Sequence, residues 1–569
     1  VSTDTSAGRR EWEHAAAGVL RKAGRLGEND PDDAVWRTLT RTTLDGVQVT
    51  PLGLPGDATQ HPAIDGRGAV DWDIRSLVDD PQTTPEQVLA ELEGGATSLW
   101  IRLGRTGIAL EQLPQLLGEV LLDVAPVVLD CPEDPVGAAR AYTELLTAAD
   151  GPAPAGSSLG ADPIGAGADP AQVAAEIADL AAAAGVFGLT ADGTLLHDRG
   201  ASDAQELAYA VACGVAYLRA LTAAGRPLDE AVRLVEFRVA ATDQQFATIA
   251  KLRALRLLWA KVLKESGTTG RAHVHAVTSR PMMTRHDPYV NMLRGTVAAF
   301  AAGAGGADAV TVLPFDAALG LPEAFGRRIA RNVSSLLISE SHVARVADPA
   351  AGAPAIEAFT HDLAAAAWAE LAHIESAGGV AAALADGSID ERVAAVAAER
   401  RKQVATRKLA ITGVSEFPQQ RETLPDRRPR PAGSWDVAAY DADYEAMRET
   451  PAAAPVFLAT LGPVAQHTAR ATFAANLFAA GGVEVRPVGA TGSVDEVVSS
   501  YDGERVVCLA GTDAAYAETG PQVISALRAA GASYVIVAGK PGDLDVDDSC
   551  AMGVDAVAFL GRVRKELGS

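Results

Sequence analysis

Short β-rich runs alternate with longer helical patterns along most of this chain. Between residues 86 and 350, eight runs have strand character: Ser98–Leu103, Pro126–Asp130, Ser158–Ile164, Val186–Thr190, Leu234–Ala241, Ala272–Thr278, Ala309–Leu313 and Val343–Ala347. Helical patterns separate them, notably over 135–148, 170–184, 203–223, 243–266 and 286–303, where apolar positions recur every three to four residues. Eight strands alternating with helices predict a closed parallel (β/α)8 TIM barrel rather than an open sheet. Helices follow at 356–376 and 388–410, the second carrying Arg392, Glu399, Arg400, Arg401 and Lys402. A second βα rhythm runs through Val456–Ala459, Val483–Arg486, Arg505–Leu509, Tyr534–Ala538 and Ala556–Leu560. Five such strands predict a flavodoxin-like doubly wound parallel domain.

The rhythm breaks in two places. Residues 1–50 hold a short amphipathic helix with Trp12, Ala16, Val19, Leu20 and Ala23 near helical spacing, and residues 51–75 are rich in Pro, Gly and Asp. A long irregular arm inside a compact protein is unusual, so this one is expected to lie along another surface, with Trp12, Trp36, Leu52, Leu54 and Trp72 as anchors. The second break carries Pro418, Pro425, Pro429, Pro431 and Gly433 and reads as a linker. The chain thus divides into an N-terminal arm for subunit interaction at 1–75, a barrel at 76–400, a linker at 401–454 and a doubly wound domain at 455–569.

Composition narrows the function classes. With 569 residues, 48% hydrophobic and 21% charged, the chain is that of a multidomain globular protein. Its net charge of -24 repels nucleic acid and anionic lipid, so neither is an expected partner. Cys131, Cys213, Cys508 and Cys550 lack metal-ligand spacing and suit a reducing compartment. There is no apolar run long enough to span a bilayer, and Val1-Ser2-Thr3-Asp4-Thr5 shows no signal pattern. A cytoplasmic location is expected.

Several segments carry a resemblance. They are Trp72-Asp73-Ile74-Arg75, the run Ala250–Lys261, Asp287-Pro288-Tyr289-Val290-Asn291, Arg328-Ile329-Ala330-Arg331-Asn332 and Arg345-Val346-Ala347-Asp348-Pro349. Together with the domain order, they resemble the methylmalonyl-CoA mutase family. The stretch Ile411-Thr412-Gly413-Val414-Ser415-Glu416-Phe417-Pro418 is similar to the small (β) subunit of its bacterial heterodimer in particular. The resemblance implies an isomerase that interconverts methylmalonyl-CoA and succinyl-CoA with adenosylcobalamin. It also implies that the doubly wound domain derives from a cobalamin-binding domain. The Lys and Arg residues of Lys251–Lys261 are expected on a solvated face or in interface ion pairs, and Arg328 and Arg331 beside carboxylates.

The same comparison shows where chemistry is missing. The family's Asp-x-His-x-x-Gly loop, which ligates cobalt, falls on Val464, Gln466 and Ala469; His467 lies one residue along. A metal-bound His needs an imidazole and an orienting acceptor, and neither residue type stands in place. Leu77 falls where the resemblance implies a substrate-wedging Tyr, and Thr194 and Leu195 where it implies Tyr-His, with His197 expected as a solvent-side loop residue. Arg140 does not match the carboxylate-gripping motif. Ala304-Gly305-Gly306 and Thr311 replace polar groups, Ala510-Gly511-Thr512 a Ser-x-Leu motif, and Gly539-Lys540 a Gly-Gly turn. The expectation is a chain with no catalytic, cofactor-binding or metal-binding residues and a barrel axis closed around Leu77 and Leu195. No cofactor would be bound by this chain. Adenosylcobalamin would belong to a catalytic large (alpha) subunit, which this chain would stabilise in a heterodimer. The alternative is a regulatory binding module using the vestigial barrel for an effector.

Overall fold

The computed structural model describes residues 5–54, 64, 66–149 and 151–568. Eight parallel strands close into a barrel: β1 (Asp73–Val78), β2 (Ser98–Arg102), β3 (Val127–Asp130), β4 (Ser158–Ala161), β5 (Phe187–Asp192), β6 (Val235–Ala241), β7 (Val274–Thr278) and β8 (Ala309–Thr311). β8 pairs with β1 to complete the ring. The membership of the ring differs from the sequence expectation at one strand. Val343–Ala347 is not a strand, because Val343–Arg345 forms a 3-10 turn. The eighth strand is β1, at the end of the stretch read as the arm.

The reason lies in which way the side chains face. On β6, Phe237 faces outward and meets Trp259 of the helix Gln245–Glu265 edge-on, with centroids 4.8 Å apart. Glu236 and Arg238, at the other parity, face the lumen. On β1, Ser76 points outward to Glu91 at 3.0 Å, which leaves Asp73, Arg75 and Leu77 inside. Barrel interiors are ordinarily dominated by branched apolar residues; this one is substantially charged. The strand β4 is irregular: its pairing to β5 shifts register between Ser158 and Ala161. Gly160 there has φ +65°, and a Cβ would meet Leu129 O at 1.7 Å, so only glycine fits the kink.

The described part of the arm follows the chain's own surface. The helices Thr5–Lys22 and Ala34–Leu39 pack through Ala17, Leu20 and Val35, and the Trp12 and Trp36 ring centroids lie 4.9 Å apart with the planes tilted by 51°. Asp45 accepts from Ala204 N at 3.2 Å, and Arg67 donates to Ala307 O at 2.6 Å. Residues 1–4, 55–63 and 65 of the expected arm lie outside the described residues.

The second unit contains a five-stranded parallel sheet of β9 (Val456–Thr460), β10 (Val485–Pro487), β11 (Val506–Ala510), β12 (Tyr534–Ala538) and β13 (Asp548–Cys550), in the order β10-β9-β11-β12-β13. This is doubly wound topology, with the order reversing between β9 and β11. Helices Val464–Ala480 and Ala556–Glu566 cover one face, with the ring centroids of Phe478 and Phe559 5.8 Å apart. Helix Asp513–Ala529 packs on the other through Tyr516, Val523 and Leu527. The expected fifth strand at Ala556–Leu560 is the start of a helix, capped by Asp555, whose side chain accepts from Ala558 N. The true edge strand is three residues long, and polar Asp548 and Ser549 hide it from an apolar search.

The linker does not stand apart from either unit. Residues 398–426 and 438–454 cluster with the second unit, where Val404, Val414 and Tyr444 enter its core. Residues 427–437 cluster with the barrel. There Arg430 donates to Asp79 Oδ2 at 2.6 Å, and Leu321 N donates to Arg428 O at 2.8 Å.

Candidate functional site

Arg238 crosses the barrel lumen. β6 stands opposite β2 in the eight-strand ring, and the Arg238 guanidinium lies 4.2 Å from the ring centroid of Trp100 on β2. Arg238 Nη1 donates to Asp192 Oδ2 at 2.8 Å, and its Nε donates to His275 Nδ1 at 3.3 Å. His275 then carries its proton on Nε2, which donates to Thr311 Oγ1 at 2.8 Å. Burial, together with the Arg75 and Arg238 charges, holds His275 well below the usual imidazole range, consistent with a neutral ring. A second guanidinium, Arg75, donates to Ser98 Oγ at 3.1 Å and to Gly156 O at 3.3 Å. The lumen at this level is a cross-linked polar core.

The C-terminal face, where barrel enzymes place their reacting groups, carries a second network. His197 is not a solvent-side loop residue. It is 2% exposed in the short helix Thr194–Asp198, and its Nε2 lies 2.7 Å from Ser279 Oγ. Its Nδ1 lies 3.3 Å from Glu206 Oε2, close enough for charge attraction but without hydrogen-bond alignment. Glu206 accepts from Ala240 N at 2.5 Å and from Lys251 Nζ at 2.8 Å. Burial opposes the Glu206 charge, yet Lys251 and His197 outweigh it and hold the carboxyl below its ordinary range.

Of the basic run, Lys261 is exposed as expected, whereas its other three cations are internal rather than solvated. Lys251, Arg253 and Arg256 are buried and pair with Asp203 and Glu206, with Asp348 and Glu357, and with Asp308. An unpaired cation there would carry a desolvation cost of several kcal/mol, so these residues tie helices to the barrel. Arg331 and Arg327 both pair with Glu91, while Arg328 lies over Phe325. Arg140 is an exposed surface residue paired with Glu176.

The remaining expected positions scatter. Leu77 and Leu313 border a small cavity of about 40 Å³ beneath Arg430, at the C-terminal ends of β1 and β8. That is room for a few waters, not an acyl chain. Leu195 presses on Gly165 at the rim. Closure at the level described comes from Arg238 and Trp100, not from these two leucines. Ala304-Gly305-Gly306 lies at the turn into the N-terminal end of β8, away from the catalytic face, where Arg256 donates to Gly305 O and Gly306 O. Among the described residues, no group of three or more His, Cys, Asp or Glu side chains is placed to hold a metal ion.

In the second unit, Val464, Gln466 and Ala469 all lie in the first two turns of the helix Val464–Ala480. Gln466 folds back over Gly462, and buried His467 Nδ1 meets Gly462 O at 3.1 Å. That bond aims the imidazole into its own turn. Lys540 is exposed. The crevice at the switch point between β9 and β11 is flanked by Tyr516, whose hydroxyl joins the ends of β11 and β12: it lies 2.7 Å from Ala538 O and accepts from Gly511 N at 3.0 Å. Arg470 covers it, donating to Gly511 O at 2.7 Å. Neither residue had a sequence signal. This arrangement does not fit a corrin: the ligand position is a glutamine inside a helix, and the crevice is filled.

A closed eight-stranded parallel barrel and a five-stranded doubly wound sheet in one chain define a two-domain α/β scaffold. The chain belongs to the methylmalonyl-CoA mutase family. Residues 184–476 match the family described as methylmalonyl-CoA mutase. The chain is 45% identical over 598 residues to a methylmalonyl-CoA mutase small subunit from Streptomyces virginiae, covering 98% of this chain and 96% of the relative. It is 40% identical over 608 residues to a probable small subunit from Mycobacterium bovis, covering 99% and 98%. A large subunit from Streptomyces virginiae matches more narrowly, at 35% identity over 233 residues, covering 40% of this chain and 32% of the relative.

Proposed function

We propose that this chain is the non-catalytic small subunit of an adenosylcobalamin-dependent methylmalonyl-CoA mutase. It would pair with a catalytic large subunit in the cytoplasm, hold that subunit in its working fold and bind no cofactor itself. The relatives support the subunit assignment, and the observation that carries the non-catalytic reading is Arg238 stacked across the axis onto Trp100. A radical reaction needs a dry channel that holds substrate against cofactor. A guanidinium fixed to Asp192 at the centre of the barrel takes up that space. Stabilisation of the partner follows from mass action: a subunit that binds only the folded large subunit raises its apparent stability.

The test is expression of this chain alone, the large subunit alone, and both together, with corrin absorbance and mutase rate measured for each. The pair should carry cobalamin and activity, and this chain alone should carry neither. A corrin spectrum that survives gel filtration of the isolated chain would sink the reading. Among the described residues no helix is long and apolar enough to cross a membrane.

A further inference from the structure

Doubly wound domains bind ligands outside the carboxyl ends of their strands, at the point where strand order reverses. In this domain that point lies between β9 and β11. Arg470, on the helix that follows β9, reaches across it. Its Nη1 donates to Gly511 O at 2.7 Å and its Nη2 to Asp513 Oδ1 at 2.5 Å, both just beyond β11. The guanidinium lies over the Tyr516 ring at 5.0 Å, and a Cβ at Gly539, beyond β12, would stand 3.2 Å from Arg470 Cζ. The occupant therefore meets a carbonyl, a carboxylate, an aromatic face and a glycine that leaves it room. That is the environment of a bound planar cation, built from the chain itself.

We propose that Arg470, seated on Tyr516, is a built-in plug of this crevice that closes the domain to ligands bearing a planar heteroaromatic base on ribose. The inference rests on the reading that this subunit takes no cofactor, and it identifies a residue that enforces that division of labour. Loss of the cobalt-ligating positions alone would leave an open crevice able to compete for the nucleotide portion of a cofactor meant for the partner. A filled crevice does not compete. Tyr516 is the fixed floor, since its hydroxyl joins the ends of β11 and β12. Arg470 is the removable part, because its side chain keeps 31% of its exposure.

The experiment is equilibrium dialysis of the full chain against benzimidazole riboside and, separately, hydroxocobalamin. The wild-type chain should retain neither. Arg470→Ala should bind the riboside at least ten-fold more tightly than wild type, and ethylguanidinium, which refills the vacated place, should displace it. Asp513→Ala is the second variant, because Asp513 is largely exposed and its loss frees Arg470 without opening the core; it should show a smaller gain in the same direction. Folding of each variant is checked by its thermal melt. If neither folded variant gains riboside affinity, the plug is wrong while the subunit assignment stands. If wild type itself retains hydroxocobalamin, the assignment fails first.

Discussion

Arg238 answers to an aromatic face, a carboxylate and a neutral imidazole, and each constrains it differently. The Trp100 face and His275 set its position, whereas Asp192 supplies the opposite charge that makes burial tolerable. Arg238→Ala should therefore strand the buried carboxylate and destabilise the barrel by about 3–5 kcal/mol. The double change Arg238→Met with Asp192→Asn should recover part of that loss, since the neutral amide leaves no buried charge and its oxygen still accepts from Thr194 N and Oγ1; urea unfolding of both variants separates the outcomes. Asp162 offers a pH test. Burial pushes its carboxyl from the ordinary 3.8 up to about 7, with the Tyr217 hydroxyl donating to it in partial opposition. Because the folded value is raised, the protonated acid favours the fold. Its contribution is complete below the unfolded value and is lost as pH rises through about 7. Asp162→Asn should gain stability relative to wild type progressively from pH 4 to 7 and level off above. A difference that is flat with pH would remove Asp162 from this role.

At the scale of elements, periodicity marked the strands whose outer faces are apolar and failed where that signal thinned. Leu234–Ala241 was legible because Phe237 and Val239 alternate with the charged lumen residues. β1 was not: Ile74, Leu77 and Val78 are split between its two faces, and Asp73 and Arg75 look like solvent positions. A sequence pattern cannot tell a polar lumen from water, since both call for charge at one parity. The candidate site suffered the same blindness. Positions emptied of family chemistry could be read from spacing, but the side chains that fill the space, Arg238, Trp100, Arg470 and Tyr516, are brought together only by tertiary structure. The segment at 427–430 was legible only as part of a linker. It is held by Arg427 to Asp316, Arg428 to Asp80 and Arg430 to Asp79, and by the Leu321 amide bond. Arg430→Gln with Arg427→Gln should loosen it, and hydrogen exchange at Leu321 N–H should accelerate at least ten-fold. Arg428 is half exposed, so added salt should screen its pair more than the other two. Unchanged protection of Leu321 in the double variant would mean that these ion pairs do not hold the segment.

At the scale of the whole molecule the proposed role is one performed through surfaces, with Arg238 lying over Trp100 in the barrel lumen and Arg470 over Tyr516 in the second unit. Its N-terminal segment bears on that role in a specific way. A segment of this composition reads as unable to order itself against roughly 1–2 kcal/mol per residue of backbone entropy. The structure corrects this for residues 5–39, where Trp12 packs against Trp36 and Ala17 and Val35 are fully buried in a small core of their own. The helix pair is therefore an ordered appendage rather than a strand of chain awaiting a partner. Its apolar content is largely spent on that internal core, but Val19 remains 65% exposed on the outer side. If the pair grips the large subunit, it does so as a preformed unit, with less ordering cost at the moment of binding. Deleting residues 1–50 should leave the barrel's melting behaviour nearly unchanged, since a tie it would sever, the Asp45–Ala204 bond, is a single long hydrogen bond at 3.2 Å. The same deletion should weaken assembly with the large subunit at least ten-fold and lower the mutase rate of the mixture at limiting subunit concentration. Analytical ultracentrifugation of the co-expressed pair measures the first effect, and a subunit titration of activity the second. Excess truncated chain should restore the rate if the arm contributes affinity alone. A truncated chain that assembles and activates as well as the full one at nanomolar concentrations would show that the helix pair has no part in the partnership.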